Sequence, residues 1–222
     1  MSYRETSALG TAGRSVEINK VLRNTYFLLA MTLAFSAVTA AIATAVGIPG
    51  GAGLVLSLVG LGLIFVVNKK ADSASGIFWV FAFTGVMGAS LGPLLSYYAA
   101  MPQGPALIMQ ALGSTALVFF ALSAYALTSR KDFSFMGNFL FVGLIVVILA
   151  AVGNIFFQIP ALHLTINAAI VFIMSGLILF DTSRIINGGE TNYIRATVGL
   201  YLNVFNLFTA LLQLLGIFSS DD

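Results

Sequence analysis

Residues 175–213, which read SGLILFDTSRIINGGETNYIRATVGLYLNVFNLFTALLQ, decide how the rest of the chain is arranged. An apolar helical pattern reaches Phe180 and then presents Asp181, the one acidic residue inside any long apolar segment of the sequence. A short polar connector follows, and the next apolar helix carries four amide or hydroxyl side chains: Asn203, Asn206, Thr209 and Gln213. An ionisable group inside a membrane span costs free energy, so Asp181 is a candidate functional residue.

The composition indicates a polytopic membrane protein. Of 222 residues, 59% are hydrophobic and only 8% are charged, whereas soluble domains carry about 25% charged residues. The apolar residues come in runs close to the roughly 20 residues that cross a bilayer. The sequence has no cysteine, and His163 is its single histidine, so thiolate and multi-histidine metal sites within one chain are excluded. We expect no cofactor and no resident metal.

The apolar pattern predicts an all-α membrane protein with seven spans. Residues 1–20 are polar and aperiodic and are expected to form a flexible cytoplasmic tail. Residues 21–222 form one seven-helix transmembrane domain, because no segment is polar enough for a soluble domain. The spans are expected at about 24–46, 52–68, 76–99, 105–127, 135–157, 161–183 and 196–218.

The basic residues predict the orientation of these spans. All ten Lys and Arg fall in the N-terminal segment or in every second connector, and therefore on one side of the membrane. The positive-inside rule places that side in the cytoplasm. Met1 is then cytoplasmic, and Asp222 lies on the opposite, periplasmic side.

Small residues in the third span predict close helix packing. Gly88 and Gly92 form a GxxxG pair, a spacing that permits helices to approach each other. Pro93 removes a backbone donor and should kink the helix. The sequence leaves open whether this kink serves packing alone or acts as a gating hinge.

Helix geometry predicts that Asp181 and Asn203 lie at similar depth. Eighteen residues separate His163 from Asp181, about 27 Å of helix rise, which places Asp181 near the cytoplasmic end of span six. Asn203 lies about 9 Å along span seven. Consecutive antiparallel helices with a short connection usually pack together, so the two side chains should be close.

The polar residues of span seven are predicted to form a seam that faces the bundle interior. Asn203, Asn206, Thr209 and Gln213 recur at helical spacing, and unsatisfied polar groups in hydrocarbon cost several kcal/mol. Such a seam fits interhelical hydrogen bonding, worth about 0.6 to 2 kcal/mol per bond, and it fits a hydrated pathway equally well. Asn154 and Asn167 are candidates for the same interior. Arg184, three residues after Asp181, is a candidate ion-pair partner for that carboxylate.

Enzymatic chemistry has little support in the sequence. There is no carboxylate pair within a span and no H-E-x-x-H motif, and Gly188-Gly189 lacks the lysine and strand context of a phosphate loop. We therefore expect a protein that is not an enzyme.

Four stretches resemble the Bax inhibitor family of seven-span membrane proteins, and its bacterial inner-membrane branch in particular. They are residues 21–40 (VLRNTYFLLAMTLAFSAVTA), 81–93 (FAFTGVMGASLGP), 116–137 (ALVFFALSAYALTSRKDFSFMG) and 178–208 (ILFDTSRIINGGETNYIRATVGLYLNVFNLF). The resemblance implies a fold with six helices around a central seventh. It also implies a location in the bacterial inner membrane.

Two activities come with this resemblance. The first is modulation, as substrate and inhibitor, of the FtsH membrane protease. The second is a pH-sensitive calcium leak, gated in other members by two aspartates that share a proton. Asp181 matches the first aspartate and Asn203 stands at the second, which removes the like-charge pair. Asp181, Asn203 and Arg184 are then the candidate gate, and Asp181 is a candidate for transient cation contact. The expected partners are FtsH, membrane lipid and, for a leak, calcium ion, but not nucleic acid.

Overall fold

The chain folds into helices that match the predicted spans. The computed structural model describes the backbone of residues 3–219 and the side chains of residues 16–219. Within these residues there is no β-strand. The helices are α1 (Tyr3–Val46), α2 (Gly50–Lys70), α3 (Gly76–Ser90), α4 (Gly92–Ala99), α5 (Gly104–Ser129), α6 (Gly137–Phe157), α7 (Pro160–Ile186) and α8 (Tyr193–Ser219), with a 3-10 turn at Ser134–Met136 before α6.

Seven segments of the described chain are long and apolar enough to cross a membrane. They agree with the predicted spans to within a few residues, except that the first begins earlier, at Val16. Helix α1 continues back to Tyr3, over the segment for which the sequence suggested a tail. The division of the chain at residue 20 stays a prediction, and the topology predictions for Met1 and Asp222 fall outside the described residues.

The third span is divided into α3 and α4, as the proline predicted. The helix breaks at Leu91, whose N–H donates to Gly88 at 3.0 Å, and Pro93 sits in the first turn of α4. Because proline has no N–H to donate, it is tolerated in a first turn but not within a continuous helix. The structure therefore interrupts the helix next to Pro93, where the sequence predicted a kink.

Glycines in α3 and α4 allow neighbouring helices to approach closely. A Cβ added at Gly88 would lie 2.6 Å from the Ser36 hydroxyl oxygen of α1 and nearer still to the Ser36 backbone oxygen. A Cβ at Gly92 would lie 2.8 Å from that of Ala43, also in α1. The predicted GxxxG contact is thus the packing surface between α1 and the third span.

Helix α8 is the most deeply packed of the spans. Half of its most apolar window is buried, against 11% for the span that contains α6. It packs against α7, α5, α1, α3 and α2, whereas α6 packs against α7 and the 3-10 turn. Helix α8 is therefore the most buried of the described spans, and α6 belongs to the least buried one.

Candidate functional site

Asp181 and Asn203 meet where α7 packs against α8. The side-chain amide of Asn203 donates to Asp181 Oδ2 at 2.7 Å, and Asn203 is only 5% exposed. A charge-assisted hydrogen bond of this length is among the stronger polar contacts a protein makes. The argument from helix rise predicted this juxtaposition, and the geometry confirms it.

Gly199 lies one turn before Asn203 and leaves room for the carboxylate. A Cβ built on Gly199 would lie 3.2 Å from Asp181 Oδ2, tight enough that the carboxylate would have to shift. The sequence analysis did not identify Gly199. Its position could have been recognised from the sequence, because Gly199 and Asn203 are four residues apart and therefore lie on the same helix face.

Arg184 pairs with the connector after α7 and not with Asp181, so the predicted ion pair is wrong. Its guanidinium lies 3.8 Å from Glu190 Oε2 and donates to the Gly189 carbonyl at 3.4 Å. Gly188 adopts a positive φ of 75°, a conformation that glycine takes without strain. The chain thereby turns back, so that Glu190 reaches Arg184.

The remaining seam residues of α8 bond within their own helix. Asn206 donates to the Leu202 carbonyl at 2.8 Å, Thr209 to Asn206 at 2.9 Å, and Gln213 to Thr209 at 3.3 Å. All three are half-buried. Among the described contacts, Asn203 alone of the four uses its side chain to join two helices. Interhelical hydrogen bonding was one of two interpretations that the sequence left open for the seam, and among the described contacts it is made by Asn203 only.

Asn154 and Asn167 lie away from the pair and serve local roles. Asn167 is buried and donates to the His163 carbonyl at 3.0 Å. Asn154 accepts from the Ile159 N–H at 2.9 Å in the α6–α7 connector. Neither hydrogen bond reaches α8. These contacts therefore do not join Asn154 and Asn167 to the polar seam in the way that the sequence suggested.

Tyr201 makes another polar contact between helices in the interior. Its side chain is fully buried, and its hydroxyl lies 2.7 Å from that of Ser36 in α1 and 3.3 Å from the Thr84 carbonyl of α3, to which it donates. Phe83 packs against it edge-on, with ring centroids 5.3 Å apart. Three helices thus meet at one phenol, which the sequence analysis did not single out because tyrosine is common in membrane proteins.

A cavity of about 530 Å³ borders the opposite face of α8 from the polar seam. It lies between α1, α4, α5 and α8, and its walls are almost entirely apolar, with several alanines from α1. Its lining also includes the hydroxyl-bearing residues Tyr26, Ser36, Thr115 and Tyr201. Because the seam faces away from this cavity, the cavity is not the hydrated pathway considered from the sequence.

Three connectors are joined at one end of the bundle, which we call the basic end because its connectors carry Lys69, Lys70, Arg130, Lys131, Arg184 and Arg195. Asn192 caps α8 by accepting from the Ile194 N–H at 2.9 Å, and it donates to Asp72 at 2.7 Å. Arg195 pairs with Asp72 at 2.6 Å. Ser183 accepts from the Phe133 N–H at 3.0 Å. The end of α7 and the start of α8 are thereby fixed to the α2–α3 and α5–α6 connectors.

The chemistry available at Asp181 is that of one carboxylate and one amide. In the described part of the chain, no group of three or more His, Asp or Glu residues could hold a metal ion. A single carboxylate with an amide donor can accept a proton or contact a passing cation, and an intramembrane carboxylate with a named partner is a typical functional site.

These features define a helical membrane protein of seven spans with a carboxylate–amide pair between its last two spans. Residues 18–220 match the family described as inhibitor of apoptosis-promoting Bax1, and the chain belongs to this Bax inhibitor family. The family predicted from four sequence stretches is confirmed.

Three bacterial relatives match the chain over almost its full length. A membrane protein of Vibrio cholerae is 56% identical over 221 residues, which cover 99% of this chain and 98% of the relative. The modulator of FtsH protease YccA of Escherichia coli K12 is 53% identical, over 99% of this chain and 97% of the relative. An inner membrane protein YccA from another Escherichia coli strain has the same identity and coverage.

Proposed function

We propose that this protein resides in the bacterial inner membrane and modulates the FtsH protease, slowing its action on other membrane substrates without being an enzyme itself. One observation carries the proposal, namely 53% identity over nearly the whole length to a protein named as a modulator of FtsH. At such identity we expect the relative to share this fold and its helix packing. The binding surface of this chain should then resemble that of its relative.

The arrangement of the basic end supports a protein-binding role. Its connectors are tied together through Asn192, Asp72 and Ser183, so they present a defined surface. We place this end in the cytoplasm, with Met1 inside and Asp222 in the periplasm, because all ten basic residues then obey the positive-inside rule. The segment of residues 1–20 would lie on the same side and is the proposed handle for the protease.

A reconstituted proteolysis assay tests this proposal. FtsH would be placed in proteoliposomes with a membrane substrate, alone or with equimolar amounts of this protein. We expect slower loss of the substrate when the protein is present, and co-purification of the two proteins from detergent. A seven-span membrane protein of unrelated sequence at the same density controls for crowding. Equal substrate half-lives with this protein and with the control would overturn the proposal.

A second candidate function is a slow cation leak, and the hydrogen bond between Asp181 and Asn203 favours it. We propose these two residues as the gate, with Asp181 as a transient contact for calcium, and Arg184 as a neighbouring residue that acts through Glu190. The seam residues Asn206, Thr209 and Gln213 would line the route. Helix α8 would be the central helix of the bundle, a position that its burial supports.

A further inference from the structure

A second cleft lies at the basic end, on the periphery of the bundle. It has a volume of about 420 Å³ and is formed by the 3-10 turn, α6 and α7. It is separate from the Asp181–Asn203 pair and from the larger apolar cavity. Its lining residues are Ser134, Gly137, Asn138, Phe141, Leu144, Leu177, Phe180 and Arg184.

The lining of this cleft changes from polar to apolar in the same direction on both helices. Along α6, Asn138 is followed by Phe141 and Leu144 as the helix enters the membrane. Along α7, which runs the opposite way, Leu177 precedes Phe180 and Arg184. The cleft is thus polar and positive at the membrane surface and apolar one to two turns deeper. A phospholipid has this same order of headgroup and acyl chain.

Arg184 is held at the mouth of the cleft. Its guanidinium carbon lies 5.5 Å from the centroid of the Phe180 ring, in a cation–π contact, and its side chain is 39% exposed. Glu190 is its nearest acidic partner, at 3.8 Å, long enough to leave donors of the guanidinium for another ligand. A phosphate diester could therefore bind Arg184 through charge-assisted hydrogen bonds.

The neighbouring charges give the cleft a positive balance. Arg130 and Lys131 lie in the exposed connector directly before the 3-10 turn. Asp132 opposes them, and hydrogen bonds from the Ser134 hydroxyl and N–H hold the pKa of Asp132 below its usual range, so it stays ionised. Together with Arg184 and Glu190, this end of the cleft has three basic and two acidic residues in or next to its walls. Basic pockets between transmembrane helices on the cytoplasmic side are typical binding sites for anionic lipid headgroups.

The cleft also opens onto the lipid phase. Helix α6 belongs to the least buried span, and Phe141 in the cleft wall is 62% exposed. An acyl chain could enter sideways from the bilayer without any helix moving. We propose that this cleft binds one anionic phospholipid, with its phosphate at Arg184 and Asn138 and an acyl chain along Phe141, Leu144 and Leu177. This inference is independent of the proposed function.

Native mass spectrometry of the purified full chain tests the proposal. The protein would be freed of lipid in detergent and then given equimolar phosphatidylglycerol and phosphatidylcholine with identical acyl chains. The wild type should retain phosphatidylglycerol about fivefold over phosphatidylcholine, the factor expected for one basic residue near an anionic headgroup. Arg184→Gln should bring the ratio close to one. Arg23→Gln is the matched control, because Arg23 is exposed at the same end but outside the cleft.

Two further variants keep the test decisive if Arg184→Gln does not fold. Glu190→Gln frees Arg184 and should raise the phosphatidylglycerol ratio, whereas Leu177→Trp fills the apolar part of the cleft and should lower retention of both lipids. A wild type without preference would overturn the proposal. So would an equal loss in Arg23→Gln and Arg184→Gln, since attraction would then come from the surface charge as a whole. Unchanged retention in Leu177→Trp would also overturn it, because no acyl chain would occupy the cleft.

Discussion

Asn203 reaches from α8 to α7 and donates a 2.7 Å hydrogen bond to the carboxylate of Asp181. The amide occupies the position at which a second carboxylate would share a proton with Asp181. Two carboxylates at hydrogen-bond distance cannot both ionise readily, and such a pair takes up protons as a unit. An amide donates to the carboxylate whether or not other groups titrate, so this chain lacks the coupled pair.

The pH dependence of ion flux should reflect the amide that stands beside Asp181 in place of a second carboxylate. In proteoliposomes loaded with a calcium-sensitive dye, we expect the wild type to show a weak flux with little pH dependence near neutrality. Asn203→Asp should give a steeper response, because it creates the proton-sharing pair. Asp181→Asn should lower the flux and remove the small pH dependence that the wild type retains. A matched control is Asn206→Asp, one turn further along the same helix, which should not reproduce the response. A steep wild-type profile that survives Asp181→Asn would place the gate elsewhere.

Deletion of residues 1–20 should change turnover in cells. If FtsH engages this segment, its removal should lengthen the half-life of the protein several-fold and strengthen inhibition of FtsH towards other substrates. Pulse-chase labelling in cells with and without FtsH measures the half-life. Removing residues 220–222 is the control, since that end is predicted to lie in the periplasm. Equal half-lives for wild type and the N-terminal deletion would remove this segment from the mechanism.

The orientation of the chain can be measured with reporter fusions. Alkaline phosphatase fused after Asp222 should be active, because the enzyme folds in the periplasm, whereas a fluorescent protein fused there through the same secretion route should stay dark. Fusions after Lys131 in the α5–α6 connector should behave in the opposite way. An inactive phosphatase after Asp222 would contradict the seven-span topology.

The contact of Gly88 with α1 predicts a large effect of one methyl group. Gly88→Ala should destabilise the protein by about 1–3 kcal/mol, the usual range for overpacking, because the new Cβ would meet Ser36. Gly113→Ala in α5 is the matched control, since no atom lies within 4 Å of a Cβ built there. It should be neutral or slightly stabilising, as alanine favours helix more than glycine does. Unfolding in mixed detergent micelles measures both free energies, and similar losses in the two variants would contradict the packing.

Tyr201→Phe should also destabilise the interior. The change removes the hydroxyl that contacts Ser36 and Thr84, and it leaves the buried Ser36 hydroxyl without this partner. We expect a loss of about 1–2 kcal/mol in the free energy of unfolding. Tyr97→Phe, at a position that is 64% exposed, is the control and should have almost no effect. If Ser36→Ala added a further full loss to Tyr201→Phe, the two hydroxyls would not be coupled.

Much of the fold could be predicted because hydrophobic length alone determines the membrane spans. The spans agreed to within a few residues except at the start of the first, and Pro93 marked the break between α3 and α4. The contact between Asp181 and Asn203 followed from helix rise and from the short α7–α8 connector. These features depend on backbone geometry, which is regular and can be counted along a sequence.

The predictions that were wrong concern the partners that side chains choose for their hydrogen bonds and ion pairs. Arg184 turned to Glu190 because Gly188 redirects the connector, a choice that spacing along a helix does not reveal. Asn206, Thr209 and Gln213 found acceptors in their own helix, as polar side chains in helices often do. Asn192 could have been recognised as a helix cap from its place directly before α8. Its link to Asp72, 120 residues away, could not.

The deep burial of α8 has a consequence for biogenesis. Residues 193–219 leave the ribosome after the other six described spans, yet they supply the partners of Asp181 in α7 and of Ser36 in α1. Synthesis proceeds at about 5–20 residues per second, so Asp181 waits about one to four seconds for Asn203 to be made. During that interval, and permanently in a truncated chain, the bilayer holds a carboxylate without its amide. An unfinished chain thus differs from a finished one in that its Asp181 carboxylate lacks the hydrogen bond from Asn203.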